Sequence, residues 1–468
     1  MQRELLISAG PGEWRAALLE AGVPVELYVE RGDRSEVGSI HLGRVRRLVP
    51  SLGATLVDIG SERPAFLPQS AVVPRGKRLH EGERVVVQIR REAQGGKAAR
   101  ATMATALRGQ HVELIVGRPG LDGVEALSLD ERGQLLATID AITRPILRIG
   151  STLSRAAGEG AAGLRLNGSA SLDALIADAE NLVRQWGDVL DRAATLDPPT
   201  RLGPIPAFSA GLAGALLAMP SQIRVDDPAT IPEIRAGFPN NSVDHFPESE
   251  WPIDLDEVFV EALSQTSALR EVGSVHFEAT RAGVLIDVDS GTADTGSPER
   301  TGLATNFAAA AAIARQIRLR NLGGAIIVDF VGLDSRVLRE KVRAALSEAL
   351  APDPANPRIL GWTRLGHLEL VRPRRGRPLA EALLEPHPGG ALVKMAVAVA
   401  HEALRALRRE ARAQPGRQWR LIVVPEVAAA LAGSAAPAMQ DAERRFARKI
   451  VIEADPGYDR ERFQITPL

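Results

Sequence analysis

Cysteine is absent from all 468 residues, which excludes disulfides and thiolate zinc sites and leaves eight scattered histidines as the side-chain nitrogen donors for a metal. A metal held by this chain is therefore expected to be a hard, oxygen-bound one. Net charge is missing as well. Lys and Arg number 57 against 58 Asp and Glu, so the molecule as a whole does not attract polyanions or membranes, and a nucleic acid would have to be met by local basic surface. No apolar run approaches the roughly 18 residues of a membrane span, and Met1 to Leu6 carry no signal-peptide core. The expectation is a cytoplasmic protein without membrane contact. No internal repeat is evident. The chain is about three times a typical single domain in length, with 45% hydrophobic and 25% charged residues, so several globular domains are expected.

The opening reads as a small β-rich piece: a strand at LLIS from Leu5, a Pro11-Gly12 turn, a short apolar segment, and a second strand, VELYV, ending at Val29. From Val37 to about Val116, β-branched runs broken by turn residues (SIHLGRVRRLV, ATLVDIG, RPAFLP, RVVVQI) suggest a five-stranded barrel such as an OB-fold. Strand candidates then mix with a helix over Ser171 to Leu196, whose apolar residues recur every three or four positions. After the Pro- and Gly-rich passage Pro198 to Pro220 and the loop Phe238 to Pro252, an amphipathic helix is expected over Leu255 to Leu269.

The most informative segment runs from Val284 to Phe330. VLIDVDS is an apolar run closing on Asp287; Ser290 to Ala304 reads as a polar loop; Thr305 or Asn306 is suited to cap an Ala-rich helix reaching Arg320 and stopping at Gly323-Gly324; AIIVDF then closes on Asp329. Such a crossover puts two parallel strands in one sheet, and ligands of such sheets bind beyond the carboxyl ends of the strands. Asp289, two residues beyond Asp287, would face the same side. An aspartate at a strand end commonly does no more than cap the loop that follows. A matched pair on neighbouring strands, without cysteine or histidine, points further, to Mg2+ (with Mn2+ as the alternative ion), which takes oxygen ligands and often binds through one or two carboxylates plus phosphate oxygens.

These segments resemble the ribonuclease E/G endoribonucleases. LIDVDSGTADT, TNFAAAAAIARQIRLRNLGGAIIVDF and TRLGHLELVRPRRGRPL are similar to that family's catalytic region. ELLISAGPGEWRAALLEAGVPVELYVERGD, GSIHLGRVRRLVPSLGATLVDIGSERPAFLP and the ending DPGYDRERFQITPL extend the likeness over nearly the whole chain. The end, lacking a long charged tail, looks more like the G-type members. The resemblance implies a multidomain α/β architecture: an RNase H-like piece (1–36 and 204–270) interrupted by an S1-type OB barrel (37–118) and a 5′-sensor domain (119–203), then a DNase I-like catalytic domain (271–384), a linker (385–392) and a small C-terminal α/β domain (393–468). It also implies that Asp287 and Asp329 hold Mg2+ and that single-stranded RNA is hydrolysed to 5′-phosphate and 3′-hydroxyl products in RNA processing or decay. Phe66 and Lys97 match positions that grip RNA in the barrel, although Phe66 read by itself suits a core equally well.

The departures from the pattern are specific. Asp289 stands where the family has asparagine, so a hydrogen-bond donor is replaced by a negative charge beside a polyanion. Phe307-Ala308 follow Thr305-Asn306 in place of a glutamate, and Gly332 replaces a second aspartate, for which Asp334 is the nearest substitute. Leu56 stands where another aromatic is usual. Arg165 matches the sensor arginine, but Leu166 replaces the threonine after it and Glu125-Ala126-Leu127 replace a Ser-Arg-Arg stretch. A phosphate pocket needs several converging donors, so weak dependence on the RNA 5′ end is expected. His387 in LLEPHP stands alone where the family links subunits through a Cys-x-x-Cys zinc site, so no zinc is expected and a homodimer would have to form by apolar packing. The basic clusters Arg372 to Arg377 and Arg405 to Arg420 read as RNA-lining or as solvated helix faces, the second favouring solvation because of its interspersed glutamates. The alternative to an active nuclease is an RNA-binding, catalytically impaired member serving as a processing or assembly partner.

Overall fold

The structure, a computed structural model, describes all residues except 1, 32–37, 62, 92–97, 110, 119, 124–126, 150–161, 167–170, 204–207, 217–218, 239–240, 270–272, 293–295, 375 and 388. Lys97, Glu125 and Ala126 thus lie outside the described residues. The chain divides into two compact units, 1–32 with 207–468, and 33–206. No helix among the described residues is long and apolar enough to cross a membrane.

In the first unit, the N-terminal strands Arg3–Ala9, Glu13–Glu20 and Val23–Arg31 form an antiparallel meander, joined in parallel on the other side of Arg3–Ala9 by Gln222–Val225 and then Ser242–His245. The apolar segment after the Pro11-Gly12 turn is therefore a strand. Its eight residues are all buried, so it lacks the polar alternation that marks a half-exposed strand in sequence. Leu5, Ile7 and Ala9 pack to one side of the sheet and Leu6 to the other, giving separate cores on the two faces. The helix expected over Leu255 to Leu269 ends at Leu263, and Thr266–Leu269 is a strand.

That strand opens a second sheet, in the order Thr266–Leu269, Gly273–Ala279, Gly283–Asp289, Gly324–Asp329, Leu368–Arg372, Arg358–Trp362. The helices Pro298–Leu319 and Arg336–Leu350 cover one face only, over a core that includes Val284, Ile286, Val288, Ile326 and Val328. Alternate residues on the middle strand, Leu285, Asp287 and Asp289, are exposed on the other face. The C-terminal part carries a small α/β layer, with Trp419–Val423 parallel to Ile450–Ala454 and antiparallel to Gln464–Pro467, packed on the helix Ala396–Ala413.

Two arginines of that last helix, Arg405 and Arg408, correct the sequence reading, because they are buried and paired within the protein, whereas Arg409 and Arg412 are exposed as a solvated face requires. Arg405 is buried and donates to Glu13 at 2.6 Å, a carboxylate also held by Arg15 at 3.0 Å and Arg31 at 2.5 Å. Arg408 is buried against Asp226, and Arg409 bridges Glu248 at 2.6 Å and Asp256 at 2.7 Å. In the first basic cluster Arg372 is likewise buried, paired with Asp353 at 2.7 Å and donating to the Leu322 carbonyl. Spacing on one helix could not reveal these pairings, since each carboxylate lies on a distant segment of chain.

In the second unit, Ile40–Val49, Ala54–Asp58, Ala65–Pro68, Arg100–Thr102 and Arg84–Arg91 form a five-stranded barrel that closes where the first pairs with the last. Its fifth strand in sequence, Arg100–Thr102, has only three residues, too short to show periodicity. Ala106–Arg108 and Val112–Val116, which fall within the expected barrel stretch 37–118, pair instead in a second sheet with Ala162–Leu166 and Gly120–Asp122. The helix Leu172–Thr195 packs on it, with Ser171 as N-cap and Leu196 as C-cap, the limits expected from its periodicity.

Candidate active site

The parallel strands Gly283–Asp289 and Gly324–Asp329 bring Asp287 and Asp329 into register as direct neighbours at their carboxyl ends. Both are exposed on the uncovered face, and residues paired across strands project to the same side. The pairing continues outward in both directions. His276 is the antiparallel partner of Asp287, and Val328 pairs with Leu368, which brings His367 opposite Asp329. A row His276, Asp287, Asp329, His367 thus runs across three strands to the residue that leads into the fourth. The His367 Nε2 is 3.5 Å from Asp329 Oδ2. His276 is engaged away from the acids, its Nδ1 2.9 Å from Thr266 Oγ1 and its Nε2 3.3 Å from Ser274 Oγ. Sequence spacing missed both histidines, because His276 lies on one strand and His367 immediately before another, and only the sheet reveals the order of those strands.

Asp289 shares the exposed face, and its Oδ1 accepts the Gly291 N–H at 2.9 Å, the loop-capping role open to any strand-end aspartate. The neighbouring strand can lie this close only because it begins with glycine. Gly273 has φ +110°, and a Cβ there would stand 1.9 Å from the Asp289 carbonyl oxygen. Asp334 is exposed in the loop before the helix Arg336–Leu350. Among the described residues, no three or more carboxylates and imidazoles converge as a preformed metal cage. Asp287 and Asp329 are two neighbouring carboxylates, and a Mg2+ site needs only one or two protein carboxylates, leaving the other positions to water and phosphate.

The helix between the two acids starts earlier than its sequence suggests. It spans Pro298–Leu319 and is capped by Ser297, whose side chain accepts from Arg300 N. Thr305 and Asn306 are therefore buried in its interior rather than capping it. Asn306 clamps the loop that leaves the second acid: Nδ2 donates to the Val331 carbonyl at 2.8 Å, and Oδ1 accepts the Val331 N–H at 2.9 Å. Val331 lies two residues past Asp329, so this amide fixes where that strand end points. Asparagine is a strong N-cap residue, which is why its place in the sequence reads as a helix start.

In the barrel, Phe66 is half-buried and stands outside the barrel core, paired across strands with Leu56 and Arg100. Arg165 is half exposed and ion-paired, 2.8 Å from Glu113 and 3.6 Å from Asp122. Leu166 packs against the apolar core beside it. His387 sits at the tip of the hairpin Leu384–Pro386 with Leu392–Lys394, its Nδ1 3.4 Å from Gly389 N.

Residues 164–375 match the profile of the Ribonuclease E/G family. Over the full length of both chains the sequence is 27% identical to Ribonuclease G of Salmonella typhimurium and to Ribonuclease G of Escherichia coli K12. It is also 30% identical to Ribonuclease E of Synechocystis, over 78% of this chain and 56% of that protein.

Proposed function

Since the chain belongs to the ribonuclease E/G family, we propose that it is a Mg2+-dependent endoribonuclease that hydrolyses single-stranded RNA to 5′-phosphate and 3′-hydroxyl ends, in RNA processing or decay. The observation that carries this reading is the in-register pair Asp287 and Asp329 on the uncovered face of the sheet. These two carboxylates would hold the ion. Bound there, Mg2+ supplies activation of water and neutralisation of the charge that builds on the phosphodiester. The protein's own contribution is to place two acids on rigid strand ends, with the Asn306 clamp keeping the loop past Asp329 in place. The closed barrel fits an S1-type RNA-binding role, with Phe66 outside its core as a surface on which a base can stack.

Sensing of the RNA 5′ end is weak in this reading. Glu113 and Asp122 already neutralise the Arg165 guanidinium, and a terminal phosphate would have to displace two carboxylates to reach it. The retention of both acids supports a working nuclease over a purely RNA-binding relative.

The test is incubation of the purified chain with end-labelled single-stranded RNA bearing a 5′-monophosphate, triphosphate or hydroxyl. Cleavage with Mg2+, its arrest by EDTA and comparable rates on the three ends are expected. RNA binding without metal-dependent cutting would overturn the enzyme, and a strong monophosphate preference would overturn the account of Arg165.

A further inference from the structure

The row across the sheet is asymmetric, and the asymmetry has a chemical consequence at Asp329. On the Asp287 side, both nitrogens of His276 have hydroxyl neighbours, Thr266 and Ser274. On the Asp329 side, the His367 imidazole reaches the acid itself, Nε2 to Oδ2, at 3.5 Å. Its backbone is held firmly at the mouth of a tight turn: Thr363 N donates to the His367 carbonyl at 2.8 Å, His367 N donates to Thr363 Oγ1 at 3.1 Å, and Gly366 N closes on the Thr363 carbonyl at 3.2 Å. The ring is about one-third exposed and the carboxylate is more exposed still, so the acid has little packing of its own to fix its rotamer.

We propose that His367 is the positioning residue for Asp329, its ring N–H donating to one carboxylate oxygen so that the other is kept for a divalent cation. This rests on the reading of Asp287 and Asp329 as the metal-holding pair. Ligating carboxylates are commonly oriented by such hydrogen bonds, and losing one typically weakens metal binding about 10–100-fold. Contacts of this length also tend to shorten when the site is filled. The chemistry needs a donor at the ring position and not a basic group, so an amide can replace it.

Mn2+ binding read by electron paramagnetic resonance, with Mg2+ measured by competition, tests this without RNA or turnover. His367→Leu is expected to weaken both ions by about 10–100-fold. His367→Gln, which restores a donor, is expected to recover most of the loss, and His276→Leu to bind like the parent. Unchanged binding in His367→Leu, or no recovery in His367→Gln, would overturn the positioning role. So would a loss confined to Mn2+, which would instead make the imidazole a direct ligand. Asp287→Asn and Asp329→Asn separate the two levels: if neither weakens Mn2+ binding, the metal-site reading itself fails. If both do and His367→Leu does not, only the present inference fails.

Discussion

Asp287→Asn and Asp329→Asn are each expected to lower the rate of RNA cleavage by about 10²–10⁴-fold, the rate equivalent of several kcal/mol of charge stabilisation. An amide keeps the size and the hydrogen-bonding oxygen of the acid but removes the charge that holds a cation. Both side chains are exposed, so the folding free energy should change by no more than a surface substitution does, about ±0.5 kcal/mol. Losing activity together with the fold would make the acids structural and not catalytic. Asp289→Asn should act in the opposite direction. Asparagine can still accept the Gly291 N–H through Oδ1 and removes a negative charge beside the phosphates, so kcat/KM on RNA is expected to rise. A fall in kcat/KM would assign the Asp289 carboxylate a positive role in the reaction.

The largest effect on stability is expected at Glu13. The residue is fully buried, and its carboxylate is shared by Arg15, Arg31 and Arg405, themselves buried. Glu13→Gln leaves the buried Arg31 and Arg405 without their carboxylate partner and Arg15 with Asp256 alone, at 3.5 Å, and breaking a buried pair in this one-sided way costs about 3–5 kcal/mol. Arg343→Ala, which removes an exposed pair with Glu340, should cost no more than about 1 kcal/mol. Denaturant midpoints compare the two, and hydrogen exchange in the helix Ala396–Ala413 should report the Glu13 change through its Arg405 contact. Equal, small effects would mean that the network contributes little.

The same residue sets a pH dependence. Burial acts to raise the Glu13 carboxyl, but the guanidinium groups of Arg31, Arg15 and Arg405 outweigh it and hold it well below its ordinary value of 4.5. Asp256 is lowered in the same way: burial raises it, and Arg409 foremost, with Arg405, brings it down. For a carboxyl with a depressed value in the folded state, the stabilisation is fully present above its unfolded value and is lost as pH falls through the folded one. The contribution of these two carboxyls should therefore be level through neutrality and decline below about pH 4, where unfolded carboxyls take up protons. Glu13→Gln should flatten that decline, as thermal melts across the acid range would record.

Local physics fixed a good part of this molecule. The helix Leu172–Thr195 was legible with both ends, because a serine cap and a 3.6-residue apolar period are properties of one short segment. The acids Asp287 and Asp329 were legible too, because a strand ending in aspartate on each side of an Ala-rich helix already implies a parallel pair with both residues at the same end. The buried strand Glu13–Glu20 and the three-residue strand Arg100–Thr102 were not, one for want of alternation and the other for want of length.

The sequence by itself determined that the pair of acids exists and which end of the sheet it occupies, since chain direction and strand polarity are settled by neighbours in the chain. Only the tertiary structure decided what surrounds it. The approach of His367 to Asp329, the Asn306 clamp on Val331, and the burial of Arg372, Arg405 and Arg408 each join residues far apart in the chain. A charge or an amide carries no local mark of the partner that will satisfy it. That partner is set by strand order and helix docking, which depend on burying whole apolar faces.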